Sequence, residues 1–172
     1  VLKKMGYLGQ ELVEQESPMT IHQLLTHTSG LTYGFFMDNF VEDLYRNSQF
    51  ADPTVSLEDT IKQIAEFPLL FQPGARWHYS MAVDISGYLV QLLSGMPFDT
   101  FLQEKIFAPL SMVDTGFHVP DNKADRFATL YAHNPEDSSL QLHDDQGVLK
   151  RDYSVPTTSP FGGHGLVSTT ED

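Results

Sequence analysis

The sequence predicts a mixed α/β chain that is mainly helical, with a small antiparallel β element toward its C-terminal end. Three observations carry this expectation. Helix-start signals recur ahead of apolar residues spaced three or four apart between Pro18 and Pro109, and Gly or Pro closes most of these segments. Beyond Gly116 the pattern changes to short alternating stretches separated by Asp- and Asn-containing loops at 121–125 and 134–139.

The first helix is expected just after Pro18. Thr20 and Gln23 have the spacing of a capping box, Ile21, Leu24 and Leu25 supply the apolar positions, and Gly30 ends the segment. Residues 31–54 are rich in aromatics, among them Tyr33, Phe35, Phe36, Phe40, Tyr45 and Phe50, whose simplest use is packing; a helix is expected there from Asp38 to Arg46. Ser56 and Asp59 open the next helix, Ile61, Ile64, Ala65 and Phe67 follow at helical spacing, and Pro68 closes it. Gln72-Pro73-Gly74-Ala75 suits a type II turn, because Pro fixes φ at the second position and Gly accepts positive φ at the third. Val83, Ile85, Leu89, Val90, Leu92 and Leu93 then describe a helix apolar almost all round, expected to be deeply buried and stopped by Gly95. A last helix runs from about Phe98 to Phe107, with Phe101, Leu102 and Ile106 inward, before Pro109.

Composition narrows the function. With 41% hydrophobic residues the chain can build an ordinary core, and one compact unit is the best description. Ten basic against 23 acidic residues give a net charge of −13, a field that repels phosphate backbones, so nucleic acid is a poor partner. The absence of Cys removes disulfides, thiol nucleophiles and Cys-ligated zinc, yet fits reducing and oxidising compartments equally, so localisation stays open. No apolar run approaches the roughly 18–20 residues of a membrane span, and the chain reads as soluble. It opens on Val1 and stops at Ser168-Thr169-Thr170-Glu171-Asp172, a pattern that begins a helix. Both ends are therefore expected to be cut, with 1–172 the central part of a single domain.

Most common catalytic signatures are missing. There is no Gly-x-Ser-x-Gly elbow, phosphate-binding Gly-x-x-x-x-Gly-Lys loop, Gly-x-Gly-x-x-Gly fingerprint or His-Glu-x-x-His helix, and no Ser is followed three residues later by Lys. The histidines show no zinc spacing, although His143-Asp144-Asp145 could supply ligands, and Asp121-Asn122-Lys123-Ala124-Asp125 lacks the Gly and terminal Glu of a calcium loop. A solvated loop is expected at 121–125, and no metal or other cofactor is expected.

The segment Met19-Thr20-Ile21-His22-Gln23-Leu24-Leu25-Thr26-His27-Thr28-Ser29-Gly30-Leu31 is long and specific, and it resembles a motif of serine β-lactamases and penicillin-binding-protein-like hydrolases. Phe71-Gln72-Pro73-Gly74, Tyr79-Ser80, Ser94-Gly95, Ile106-Phe107-Ala108-Pro109-Leu110-Ser111-Met112, Thr115 and Gly162-Gly163-His164-Gly165-Leu166-Val167-Ser168-Thr169 follow in the order seen in that family. The resemblance implies a β-lactamase/transpeptidase-like fold, with this segment mainly its helical lobe. It also implies an acyl-enzyme mechanism in which the nucleophilic Ser and its Lys lie upstream of Val1, and a His-x-Gly or Lys-Thr-Gly strand lies beyond Asp172.

Within that resemblance Tyr79 falls where the family places the Tyr that takes the nucleophile's proton. Because a free phenol titrates only near about pH 10, the role needs a neighbouring cation such as the family Lys. On spacing alone, Tyr79 beside Trp77 and ahead of a buried helix reads first as a core aromatic with its hydroxyl satisfied locally, and it is the surrounding family blocks that favour the catalytic role. Where penicillin-directed members have Tyr-x-Asn, this chain has Met81, an apolar and adaptable surface in place of an amide, as in the carboxylesterase branch (family VIII esterases). Trp77 and His78 are candidates to line the cleft, and Gly163 and His164 to approach substrate, with packing, surface or turn roles as the plainer alternatives. His27 and Ser29 are read as structural, holding a helix end and loop. Ser111 replaces a family Gly and is expected at positive φ. The expected partner is a small-molecule ester or amide, with oligomeric state open. An esterase leads; a β-lactamase or D-amino-acid peptidase, and a non-catalytic binding or scaffold homologue, are the alternatives.

Overall fold

Helix boundaries in the computed structural model follow the local signals closely. The structure describes residues 2–5, 9–48, 55–142 and 151–172, with side chains from Glu11 onward. Phe50 and His143-Asp144-Asp145 lie outside the described residues. Helix α1 spans Ile21–Leu25 and carries the capping box: the Thr20 hydroxyl accepts from the Gln23 amide at 3.2 Å, and the Gln23 side chain accepts from the Thr20 amide at 2.9 Å. The helix ends at Thr26, short of Gly30, because the Thr26 hydroxyl turns back to the His22 carbonyl at 2.8 Å. Helix α2 (Phe40–Arg46) starts two residues later than expected, where the Asn39 side chain accepts from the amides of Val41 and Glu42. Helix α3 (Leu57–Ala65) is capped by Ser56 and buries Leu57, Thr60 and Ile64. The turn at Gln72 closes with an Ala75 amide to Gln72 carbonyl bond of 3.0 Å and places Gly74 at φ +84°.

Helix α4 (Ala82–Ser94) is the central element, packing against α1, α3 and α5. Gly95 terminates it at φ +69°. Its burial is a correction to expectation: Leu92 and Leu93 are 61% and 77% exposed, because the surrounding helices cover its N-terminal half and leave these two side chains uncovered. The next correction is one of phase. Helix α5 (Phe98–Leu102) continues as a π-helical turn over Gln103–Phe107, with the Ala108 amide bonded to the Gln103 carbonyl five residues back. The wider turn rotates the face, so Phe98 and Phe107 are buried whereas Ile106 is exposed. Ser111 sits at φ +60°, as its replacement of Gly led one to expect.

Two antiparallel hairpins flank the helices. The expected C-terminal one pairs β3 (Tyr131–His133) with β4 (Leu140–Leu142) across the 134–139 loop. The N-terminal one pairs β1 (Leu2–Met5) with β2 (Gly9–Leu12), in register Leu2 with Leu12, and had no expectation attached. Residues 121–126 form a 3-10 turn in place of a loop; Lys123 bridges to Asp114 at 2.7 Å and to the Val113 carbonyl at 2.7 Å, pinning the segment. The core gathers Leu24, Leu31, Tyr33, Val41, Tyr45, Ile64, Leu70, Met81 and Ala82. Among the described residues, no helix is long and apolar enough to cross a membrane.

Candidate active site

The stretch around the Pro-Gly turn, residues 70–80, is tied bond by bond to the loop that follows α1. The Leu70 amide donates to the Gly30 carbonyl at 2.7 Å, the Gly74 amide to the Thr28 carbonyl at 2.7 Å, and the His78 amide to the His27 carbonyl at 2.8 Å. The His27 ring adds to this, since its Nδ1 accepts from the Ser80 amide at 3.3 Å. His27 holds this geometry from a backbone at φ +53°. A structural reading of His27 is supported, although what it steadies is the Tyr79-Ser80 segment. Ser29 is fully buried, and its hydroxyl has no hydrogen-bond partner among the described residues, so no bonding role attaches to it.

Tyr79 is therefore fixed on both sides by backbone contacts while its own ring is 43% exposed. The rings of His27, Tyr33 and Phe36 surround it at centroid distances of 4.8, 5.4 and 6.4 Å. The Tyr33 hydroxyl donates to Oδ2 of Asp84 at 2.8 Å. Asp84 lies in the first turn of α4 and is completely buried; its Oδ1 accepts from the Gly163 amide at 2.8 Å and stands 3.5 Å from Nδ1 of His164. A carboxylate suits this place because the amide-rich start of a helix favours negative charge. Burial, reinforced by Asp84, pushes the Tyr33 phenol well above the usual tyrosine range, so Tyr33 stays protonated.

A second buried carboxylate lies nearby. Glu42 on α2 is fully buried and accepts from the Thr32 hydroxyl at 2.6 Å, and that hydroxyl is also 3.0 Å from Nε2 of His78. His78 is packed edge-on against Phe36 and Phe71. Burial lowers its pKa below the ordinary 6.5, with Glu42 opposing and Arg76 assisting; burial lowers His27 in the same way, against Asp84. A histidine that binds its proton less readily when folded contributes stability above the unfolded value, and that contribution is lost as pH falls through the folded one. Stability is thus expected to decline as pH drops below about 6.5, with the imidazole resonances of His27 and His78 titrating more acidic than a free histidine. Titration by NMR checks this; midpoints at or above the free value would contradict it.

The site residues expected from the sequence divide clearly. Gly163 and His164 come together at Asp84, and the Tyr79 ring lies against Tyr33, whose hydroxyl donates to the same carboxylate. The Gly163 amide is already engaged by Asp84 and is not free for a substrate, and the His164 ring stacks on Phe161 at 4.7 Å. Trp77 is 64% exposed and its ring stands 6.2 Å from that of His27, so it borders the site. Met81 must be corrected: it is fully buried in the core and presents no surface to a ligand. Its side chain points into the packing between the α1 loop and α4 because residue 81 immediately precedes α4 and its amide points at the Thr32 carbonyl, 3.5 Å away. The apolar surface beside Tyr79 is supplied by Phe35 and Phe36, 56% and 42% exposed, which sequence reading had assigned to packing. Asp84 was missed as well, although it is the sole charged residue of α4. Among the described residues no cluster of His, Asp and Glu could hold a metal. A cavity of about 490 Å³ elsewhere, lined by Phe107, Phe117, Phe127, Lys123 and Arg126, includes none of these groups.

Comparison with known proteins agrees with this architecture. A family model described as Beta-lactamase matches residues 6–172. Lovastatin esterase of Penicillium rubens is 31% identical over 157 residues, which cover 90% of this chain and 38% of that enzyme. Esterase EstB of Burkholderia gladioli is 30% identical over 173 residues, covering 91% of this chain and 43% of the esterase. Among solved structures, simvastatin synthase (LovD) from Aspergillus terreus aligns with a TM-score of 0.67 at 29% identity, over 93% of this chain and 37% of that one. The chain thus spans about two fifths of the length of the curated relatives it matches. The β-lactamase/transpeptidase-like fold class holds, with helices predominating and a small antiparallel element.

Proposed function

The chain belongs to the β-lactamase family, and on that premise we propose that the full-length protein is a serine hydrolase that cleaves small-molecule acyl esters through an acyl-enzyme. Residues 1–172 supply the central part of its single domain. The nucleophilic Ser and its Lys come from outside this segment, and Tyr79 manages the nucleophile's proton. The observation that supports this reading is the setting of Tyr79: an exposed phenol whose ring lies among those of His27, Tyr33 and Phe36, on a segment held in place by the amide bonds of His78 and Ser80 to His27. That arrangement leaves the phenolic oxygen able to receive a proton from an approaching hydroxyl.

In acylation the Ser oxygen attacks the ester carbonyl as its proton passes to Tyr79, and the same proton is returned to the leaving alkoxide. Water then repeats the cycle on the acyl-enzyme. The exposed Phe35, Phe36 and Trp77 supply apolar surface suited to the acyl or alkyl part of an ester. The names of the relatives support esters in particular: one is a lovastatin esterase and another an esterase. The test compares a short-chain p-nitrophenyl ester with a chromogenic cephalosporin on the full-length protein. A kcat/KM at least about tenfold higher for the ester is expected, the scale on which pocket complementarity discriminates. Preference for the cephalosporin would move the assignment to a β-lactamase, and turnover of neither to a binding homologue.

A further inference from the structure

Three glycines in Gly162-Gly163-His164-Gly165 surround a histidine that the proton transfers of Tyr79 leave unused. They lay the loop against the start of α4. A Cβ on Gly163 would stand 2.8 and 2.9 Å from the two carboxylate oxygens of Asp84 and 3.0 Å from the Tyr33 hydroxyl. Gly165 sits at φ +87°, and its carbonyl accepts from the Arg151 guanidinium at 3.3 Å, which also donates to the Phe117 carbonyl. The loop is thus pinned next to Tyr33, whose ring packs on that of Tyr79 at 5.4 Å. The two ring nitrogens of His164 meet different surroundings. Nδ1 is shut away from solvent without a hydrogen bond among the described residues, and it stands 3.5 Å from Oδ1 of the buried Asp84. The ring plane is set by a stack on Phe161, with 4.7 Å between centroids and 17° between planes. The side chain is 24% exposed, and with Nδ1 turned inward the open edge is the opposite one, which carries Nε2.

A neutral imidazole holds one N–H proton, and a carboxylate only accepts hydrogen bonds. With the proton on Nε2, the Nδ1 lone pair would face the lone pairs of Asp84; with the proton on Nδ1, the N–H is directed to the carboxylate. Nε2 is then left as a bare acceptor on the open edge. We propose that His164, with its tautomer set by Asp84, is a specificity-determining residue that accepts a hydrogen bond from an O–H donor on the substrate, so that the preferred ester carries a hydroxyl group. The inference rests on the ester-cleaving reading given above and adds a substrate class to it. Phe35, Phe36 and Trp77 offer a substrate apolar contact and do not distinguish a hydroxyl from a methyl group by hydrogen bonding. The polar groups beside His164 are already engaged by Asp84, which accepts from the Gly163 amide and the Tyr33 hydroxyl, both at 2.8 Å. Nε2 is left to meet the substrate. Asp84 is on this account a positioning residue that acts through the His164 ring.

The test uses the full-length protein at pH 8, above the ordinary histidine value of about 6.5. One arm compares p-nitrophenyl 3-hydroxybutyrate with p-nitrophenyl butyrate and p-nitrophenyl 3-methoxybutyrate. The other compares 2-hydroxyethyl butyrate with propyl butyrate and 2-methoxyethyl butyrate. In one of the two arms the hydroxylated ester is expected to show a kcat/KM about fivefold or more above both of its analogues, the fold-change that one net hydrogen bond gives. That arm identifies which side of the ester His164 meets. The methoxy compounds keep the oxygen and lose the donor, so they separate donor recognition from general polarity. In His164→Phe, which keeps a ring to stack on Phe161, the ratio is expected to fall to within about twofold of unity, less than one net hydrogen bond. A ratio of two substrates on one protein is unchanged by any loss of folded enzyme. Nitrogen NMR of the wild-type imidazole adds a readout independent of turnover, with the proton expected on Nδ1. Equal rates with and without the hydroxyl in both arms, a methoxy ester treated like the hydroxylated one, a preference that survives in His164→Phe, or the proton on Nε2 would each overturn the inference while leaving ester hydrolysis in place. Turnover of none of the six esters would instead remove the reading beneath it, and this inference with it.

Discussion

Tyr79→Phe, made in the full-length protein, is expected to lower kcat for a p-nitrophenyl ester by about 10²- to 10⁴-fold, the range attached to a positioned general acid–base. The change removes one oxygen. The ring keeps its contacts with His27, Tyr33 and Phe36, and the backbone bonds from His78 and Ser80 that hold the segment do not involve the phenol. The ring is 43% exposed, so no buried polar group is stranded in the core apart from the Tyr33 oxygen, which keeps its bond to Asp84. The expected thermal midpoint is therefore within a few degrees of wild type while turnover collapses. KM should move little, because the hydroxyl acts on the proton in flight and not on the bound ester. Steady-state kinetics alongside a melting curve separate the two effects; a variant that keeps most of its turnover would show that Tyr79 does no proton transfer.

Gly162→Ala is expected to act through the fold, with a loss of about 3 kcal/mol, the scale of an overpacked contact combined with a broken hydrogen bond to a charged group. A Cβ on residue 162 would stand 2.3 Å from the Val83 carbonyl oxygen and 3.3 Å from the Gly87 Cα. Both obstacles are backbone, so no rotamer relieves them. The loop has to lift off the start of α4, and its lifting breaks the 2.8 Å bond from the Gly163 amide to Asp84. Stability and turnover should fall together, in contrast to Tyr79→Phe. Gly116→Ala is the matched control, since the nearest atom to its Cβ would be 3.9 Å away. Denaturant unfolding of the three proteins checks the order; an unfolding free energy for Gly162→Ala within about 0.5 kcal/mol of wild type, the spread of ordinary surface changes, would contradict the close packing of loop on helix.

What could be read from the sequence is what is encoded within a few residues. The Thr20–Gln23 box, the Ser56 cap, the Gly74 turn and the Gly95 stop each depend on neighbours three or four positions apart, and each is where expected. The misreadings come from interactions at longer range or from departures from the ideal helix. A π turn at Gln103–Phe107 shifts the buried face by its extra residue, which a period of 3.6 does not anticipate. Leu92 and Leu93 continue an apolar pattern past the part of α4 that other helices cover. Of the candidate site, Tyr79 could be singled out from its motif position, whereas Asp84 meets Tyr33 across 51 positions and Gly163 across 79, distances over which no periodicity operates. Met81 was read by analogy with a polar neighbour of Tyr79, but its backbone turns it into the core, and Phe35 and Phe36 take the exposed apolar positions instead. A lone Asp in the first turn of an apolar helix was the available clue to the buried carboxylate.

The central claim is that the site around Tyr79 transfers an acyl group through a covalent intermediate whose formation depends on the Tyr79 hydroxyl. Rapid mixing of the full-length protein with p-nitrophenyl butyrate, followed by intact-mass measurement, tests it most directly. A burst of nitrophenol matched by one butyryl mass increment on the wild type, with both forming about 10²- to 10⁴-fold more slowly in Tyr79→Phe, is the predicted result. Adduct formation at the wild-type rate in Tyr79→Phe, or turnover without any adduct, would contradict it.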